Sequence, residues 1–297
     1  MCSEHPAFSA PITPSAHDAL WQWAQQAYGL SGGWQTLWLR GCPLGRINPQ
    51  WAERIAKDWH GSASASSDGL FLEADSWLAL GDGLQHMASE WKRLGLLHGW
   101  RDERFDVCGE DGQVLFALER AAFRPFGLMS HAVHLNGLAC IDGQWRFWIG
   151  RRSPHKAVDP DKLDNLVGGG ISSGEAVEAA ILRESEEEAG LSPQQLAGMR
   201  PSNRIHSLRP VARGLHNEIL HIFDVVLAPD VRPENLDGEV AGFECLTPPQ
   251  LVEAMLGGQM MADAQLVTLD AFRRYGLLAP QHPLTRYLAD ISRPAAV

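Results

Sequence analysis

The chain has 297 residues, 45 % apolar and 21 % charged, an ordinary globular balance with core material for about two domains. No run approaches the ~18 consecutive apolar residues of a membrane span, and the opening Met1-Cys2-Ser3-Glu4-His5-Pro6 lacks the basic and apolar stretches of a secretory signal. A net charge of −11, shared by both halves and offset by no basic run, disfavours nucleic acid as a partner and leaves small-molecule phosphates to a local cluster or a metal.

Five cysteines form no CxxC or metal-ligand spacing, and their odd number argues against a disulfide framework, which suits a cytoplasmic setting. All eleven tryptophans fall within the first 148 residues, a segregation that predicts at least two modules. Residues 1–14, rich in Pro, Ser and Ala, are expected to fray. Residues 15–28 place Leu20, Trp21, Ala24, Ala27 and Tyr28 at helical spacing. A strand over 34–40, a short helix over 51–59, a polar mobile loop over 61–69 and a longer helix over 76–97 follow. Residues 105–108 and 114–118 read as a hairpin around the turn at 109–112. This accessory α+β module, residues 1–122, carries no catalytic constellation, and the tryptophans through Trp100 are expected to form its core.

The second module, residues 123–297, opens with strands over 131–141 and 145–151 joined at Asp142-Gly143. A charged, proline-containing loop leads to Gly168-Gly169-Gly170. A helix is predicted over 175–189, started by a Ser172/Glu175 capping box and stopped at Gly190. Strands over 219–227 and 240–246 and helices over 248–256 and 261–275 complete an α/β layered domain.

The decisive segment is GGISSGEAVEAAILRESEEEAGL, residues 169–191. Glu184, Glu187 and Glu188 stand at i, i+3 and i+4, so their carboxylates share one helical face. Like charges that close raise one another's pKa unless a cation relieves them, and carboxylate oxygen suits Mg²⁺. Arg183 can pair with Glu175 and fix the Gly-rich loop to the helix. The segment fits G-x5-E-x7-R-E-U-x-E-E-x-G-U, the signature of the Nudix hydrolases, at Gly169, Glu175, Arg183, Glu184, Glu187, Glu188, Gly190 and Leu191. Seven fixed positions at ~7 % usage match by chance about once in ~10⁸ starts. Ser185 departs, standing where the signature has an aliphatic residue.

The stretches 126–137, 151–170, 214–227 and 235–246 resemble one branch, the thiamine pyrophosphokinase-related Nudix hydrolases, which carry an extra N-terminal domain. The resemblance implies an α/β/α sandwich with a mixed sheet. It also implies Mg²⁺ (or Mn²⁺) held by the Gly169 carbonyl and by Glu184, Glu187 and Glu188, with hydrolysis of thiamine diphosphate or its oxidised analogues to the monophosphate. Glu239 is a candidate further ligand or base, and Glu218 a second one. Arg151, Arg152, Lys156 and Lys162 form the densest basic patch and are candidate phosphate contacts. Asp164 and Asn165 could orient that loop, and His131, His134, Arg204, His206 and Arg209 are weaker candidates. The accessory module would lid the site, complete a specificity pocket or make a homodimer interface.

Two other readings stay open. One is a Nudix pyrophosphatase for ADP-ribose, NADH or coenzyme A, although residues 204–207 lack the proline expected of the first and no SQPWPFP stretch marks the second. The other is a non-catalytic ligand sensor or scaffold, against which the intact set of box glutamates speaks.

Overall fold

In the computed structural model, which describes residues 5–8 and 11–293, strand pairing divides the chain into two sheets and a hairpin. The first part runs α1 (Pro14–Tyr28), β1 (Gln35–Leu39), β2 (Cys42–Ile47), α2 (Pro49–Asp58), β3 (Ser62–Ser66), β4 (Gly69–Glu73) and α3 (Trp77–Arg93). Its sheet has the order β2-β1-β4-β3. Leu37, Leu39, Ile55, Leu84 and Trp91 from strands and helices share one apolar core. The hairpin of β5 (Arg104–Cys108) and β6 (Val114–Glu119) joins it through Phe105 and Phe116. A single 3-10 turn and α4 (Phe123–Phe126) follow.

The second part comprises β7 (Ser130–Ile141), β8 (Gln144–Arg152), β9 (Leu163–Asn165), β10 (Val167–Gly170), α5 (Val177–Ala189), β11 (Arg200–Val211), β12 (Gly214–Val226), β13 (Val240–Leu246), α6 (Pro248–Leu256), α7 (Ala262–Arg274), α8 (Pro283–Asp290) and β14 (Ser292–Arg293). The strand order is β13-β8-β7-β12-β11-β14, with β10 paired to β7 and β9 to β8. β7 and β12 run parallel and the other pairs antiparallel, so the sheet is mixed. Ala180 and Ile181 of α5 cover one face at Val133, Leu135 and Phe223. The other face, through Leu138, Phe147 and Ile222, is covered by α6, α7 and α8 together with α1. The fold is a mixed α/β sandwich preceded by an α+β region.

Several expectations shift. The 61–69 loop is an edge strand, β3, exposed at every residue, so its Ser/Ala alternation shows no apolar face and its pairing with β4 is what orders it. Residues 5–8 and 11–14 are anchored rather than frayed: Phe8 stacks on Phe147 at 5.5 Å and the Ile12 N–H donates to Leu277 O at 3.1 Å. Residues 1–4 and 9–10 lie outside the described residues. Trp21 and Trp23 pack with the core of the second sheet, whereas Trp51, Trp59, Trp77, Trp91 and Trp100 join the first. Cys42, Cys108 and Cys245 are free thiols and Cys140 is disulfide-bonded, which the cysteine count alone did not announce. Among the described residues, no helix is long and apolar enough to cross a membrane.

Candidate active site

The Gly run becomes β10, antiparallel to β7 with Gly168 opposite His134 and Gly169 opposite Val133. Helix α5 crosses this strand closely. A Cβ on Gly169 would lie 2.1 Å from the Glu184 carboxylate, so only glycine admits that side chain. One residue earlier, the Gly168 N–H donates to Glu188 Oε2 at 3.0 Å. Two carboxylates therefore converge on one turn of backbone.

Helix α5 starts two residues later than expected, with Ala176 as its unassisted N-cap and Gly190 in the left-handed region at its C-terminus. The Glu175 carboxylate still accepts from the Ser172 N–H at 3.2 Å, but the Ser172 hydroxyl donates elsewhere, to Glu103 at 2.9 Å. Arg183 explains the change. It grips Glu175 in a bidentate pair at 2.8 and 2.9 Å and also reaches Glu184 at 2.9 Å and Glu187 at 3.0 Å. That contact holds the Glu175 carboxyl below its ordinary value.

Burial works in the opposite direction on the other box acids. Glu188 is pushed up to about 8, mainly by burial, which the Gly168 N–H and Lys156 only partly offset while Asp164 and Glu184 add to it. Glu184 is also raised by burial, against the pull of Arg183. Glu187 is the most exposed of the three, with 48 % of its side chain accessible. Ser185 is fully buried between them in sequence, and its hydroxyl has no hydrogen-bond partner.

These acids line a cleft of about 910 Å³ between the two parts of the chain. Lys156 reaches into it, pairs with Glu239 and stands 3.7 Å from Glu188. Glu239 also receives Arg101 at 3.2 Å; burial raises its carboxyl, and the two cations outweigh this and hold it below the ordinary range. Arg152 lines the cleft but is committed to Asp164 at 2.6 Å. Arg151 turns outward to Glu244 at 2.7 Å and Lys162 to Asp159 at 3.2 Å, so the expected basic patch divides into two residues at the cleft and two away from it. His134 borders the cleft with its Nδ1 3.0 Å from Asn165, while His131 faces His221 at 3.0 Å. Of Arg204, His206 and Arg209, only Arg209 lines the cleft.

Sequence reading did not single out the first part's share of this wall. Ser173 Oγ and the Gly174 N–H both bond Asp106 of β5, at 2.6 and 2.9 Å, and the Ser173 N–H donates to Arg104 O at 2.8 Å. Arg101, Arg120, Arg124 and Arg213 also line the cleft. Glu218 is buried in its floor, accepting from Ser130 at 2.6 Å and Arg124 at 3.1 Å. His216 and Asp263 stand beside it and complete a three-residue group of metal-ligating type, but both carboxylates are already paired, Glu218 with Arg124 and Asp263 with Arg209.

Comparison with known proteins supports the reading of the box. The NUDIX domain matches residues 134–267. Nudix hydrolase 24, chloroplastic, of Arabidopsis thaliana is 35 % identical over 192 residues, 64 % of this chain and 52 % of that protein. A Nudix hydrolase of Deinococcus radiodurans is 30 % identical over 161 residues, 54 % of this chain and 88 % of that protein. A crystal structure from Deinococcus radiodurans superposes with a TM-score of 0.43 at 25 % identity, covering 56 % of this chain and 98 % of that one. The chain spans about half the length of the Arabidopsis relatives it matches. A box whose glycine is sterically required by its own glutamate, in a chain that aligns along most of a Deinococcus radiodurans relative, places this protein in the Nudix family.

Proposed function

We propose that the protein is a metal-dependent pyrophosphohydrolase that cleaves a small-molecule diphosphate, with thiamine diphosphate and its oxidised analogues as preferred substrates. The observation that carries the hydrolase reading is the convergence of Glu184 and Glu188 on Gly168 and Gly169 in the wall of a cleft. Glu184 and Glu188, buried and raised in pKa despite Arg183 and Lys156 beside them, form a donor set that fits a hard divalent cation. Glu184, Glu187, Glu188 and the Gly169 carbonyl would hold Mg²⁺ or Mn²⁺, which when bound supplies Lewis-acid stabilisation of phosphoryl charge.

The chain's own residues do the rest. Arg183 fixes the Glu175 loop against α5 and orients Glu184 and Glu187. Lys156, its side chain only 11 % accessible, offers a cation to a phosphate oxygen once Glu239 releases it. Glu239 is kept ionised by its two cations and faces the cleft, so its carboxylate accepts the proton of the attacking water. The water oxygen bonds to phosphorus, the bridging P–O bond breaks, and monophosphate, inorganic phosphate and one proton result.

The division into residues 1–122 and 123–297 belongs to the same reading, with the first part acting as one wall of a specificity pocket. The thiamine preference is supported by the resemblance of 126–137, 151–170, 214–227 and 235–246 to the thiamine pyrophosphokinase-related branch. Incubation with Mg²⁺ and a panel of thiamine diphosphate, oxothiamine diphosphate, ADP-ribose, NADH and coenzyme A tests both levels. Monophosphate from the thiamine compounds, lost in Glu187→Gln, is the expected result. Equal turnover by the mutant would remove the metal-site assignment, and preference for ADP-ribose would remove the thiamine branch alone.

A further inference from the structure

Within the same cleft, four arginines gather from separate parts of the chain. Arg120 and Arg124 come from the segment linking β6 to β7, Arg209 from β11, and Arg213 from the two-residue turn between β11 and β12. Three of them have carboxylate partners: Arg120 pairs with Glu103, Arg124 with Glu218 at 3.1 Å, and Arg209 with Asp263 at 3.2 Å. Arg213, half-buried, makes no hydrogen bond or ion pair among the described residues. Four guanidinium groups thus face three carboxylates, in a protein whose overall charge is −11.

The arrangement is fixed by backbone. Gly214, at φ +134°, lies so close to α4 that a Cβ there would stand 2.1 Å from Arg124 O, which pins the turn to the arginine segment. Gly99 leaves the space on the other side, since a Cβ there would stand 3.2 Å from Arg213 Nη1. The loop of the first part therefore passes directly over the unpaired guanidinium. An uncompensated cation held half out of water beside three others is costly unless an anion joins it, and burial together with Arg124, Arg120 and Arg209 lowers the Arg213 pKa accordingly.

We infer that Arg213, framed by Arg120, Arg124 and Arg209, is the seat of the terminal phosphoryl group of the substrate, the group released as inorganic phosphate. This rests on the hydrolase reading above. Register supports the span. Ser130, which accepts from Arg124 at 3.1 Å, lies three residues along β7 from Val133, the partner of Gly169. That is about 10 Å of strand, and Arg120 spans part of it, because its partner Glu103 accepts from the Ser172 hydroxyl of the box loop at 2.9 Å. One wall of the seat comes from the first part of the chain, which gives that part a direct role in choosing diphosphates with a free terminal phosphate over diesters such as ADP-ribose.

Inorganic phosphate is the direct probe. Isothermal titration of the full chain with phosphate in chelator-containing buffer should show binding in the wild type and in Glu187→Gln, about tenfold weaker binding in Arg213→Ala, and intermediate binding in Arg213→Lys. With a diphosphate substrate and Mg²⁺, Arg213→Ala should raise KM about tenfold with little change in kcat and should lose competitive inhibition by phosphate. Loss of phosphate inhibition with KM unchanged would overturn the substrate assignment and leave a free-phosphate site. No metal-free binding by the wild type, or binding untouched by Arg213→Ala, would overturn the seat itself. Arg213-dependent phosphate binding in a protein that hydrolyses none of the panel would retain the seat as an anion site and remove the hydrolase reading.

Discussion

At the scale of single residues, the box carries two side chains whose burial leaves them poorly satisfied, and each makes a measurable prediction. Ser185 occupies an aliphatic position of the signature, fully buried with an unpartnered hydroxyl. Removing an unsatisfied buried polar group recovers its desolvation cost, so Ser185→Ala should stabilise the protein by about 1 kcal/mol without altering turnover. Urea denaturation of the two proteins measures it; a destabilised Ser185→Ala would mean the hydroxyl is bonded in solution. Glu188 is the second case. Its carboxyl is pushed up to about 8 by burial, against an ordinary value near 4.5, so the metal-free protein at pH 7 carries it protonated at a cost of roughly 3 kcal/mol relative to the unfolded chain. Glu188→Gln keeps the shape and an acceptor for the Gly168 N–H. It should therefore melt higher than the wild type in chelator at pH 7. The wild type should gain Tm with added Mn²⁺, and the variant should lose that gain. A variant that melts lower in chelator, or keeps the Mn²⁺ gain, contradicts this placement of the charge.

At the scale of elements, the link between β5 and the loop 171–176 matters most. Asp106 bonds Ser173 and Gly174 at the surface, and Gly170 sits where a Cβ would be 2.5 Å from the Phe105 ring. Asp106→Ala should lower kcat/KM about tenfold, because small displacements of positioning groups cost rate steeply. Tm should move little, since exposed hydrogen bonds contribute about 1 kcal/mol or less. Parallel kinetics and thermal melts separate the two effects; equal loss in both would make the clamp merely structural. None of this clamp was legible in the sequence, because Asp106 is far from the box in the chain and in no motif, and Ser173 fills a position that the box leaves open. Helix α5 and its glutamates were legible because their spacing is local. β11 was not. Its inner face carries Asn203, Ile205 and Ser207, and the polar two are buried by bonding Asp270 at 2.9 Å and Asp263 at 2.6 Å on α7. A strand whose buried positions are polar hides from hydrophobic periodicity. The arginines at 120, 124, 209 and 213 meet only because β7 and β12 pair in parallel and bring the flanking turns together.

At the scale of the whole molecule, the same buried charges that shape the cleft set its response to acid. Burial raises Glu218 and Asp263, but the groups facing them outweigh it, Arg124 first for Glu218, and the His216 contact, Arg209 and the Ser207 hydroxyl for Asp263, so both carboxyls end below their ordinary values. Groups depressed in the folded state stabilise it above their unfolded pKa, about 4, and that stabilisation drains away as pH falls below it. His221 acts earlier. Burial, then His131 and Arg204, lower it to about 4, so between pH 6.5 and 4 the unfolded chain takes up a proton that the folded chain refuses. Stability of the metal-free protein should therefore have two acid limbs, a shallow decline beginning near pH 6.5 and a steep one below about 4. Glu188 opposes the first limb, because its raised pKa favours the folded state as pH drops from 8 toward 4.5. Thermal melts across pH 3–8 should show the shallow limb weakened in His221→Gln and deepened in Glu188→Gln, with the steep limb unchanged in both. Glu218→Gln should reduce the steep limb alone, since it leaves Arg124 without its partner at every pH and so lowers stability most where the wild type is most stable. A single acid transition common to all four proteins would show that neither the histidine pair nor the cleft carboxylates govern it.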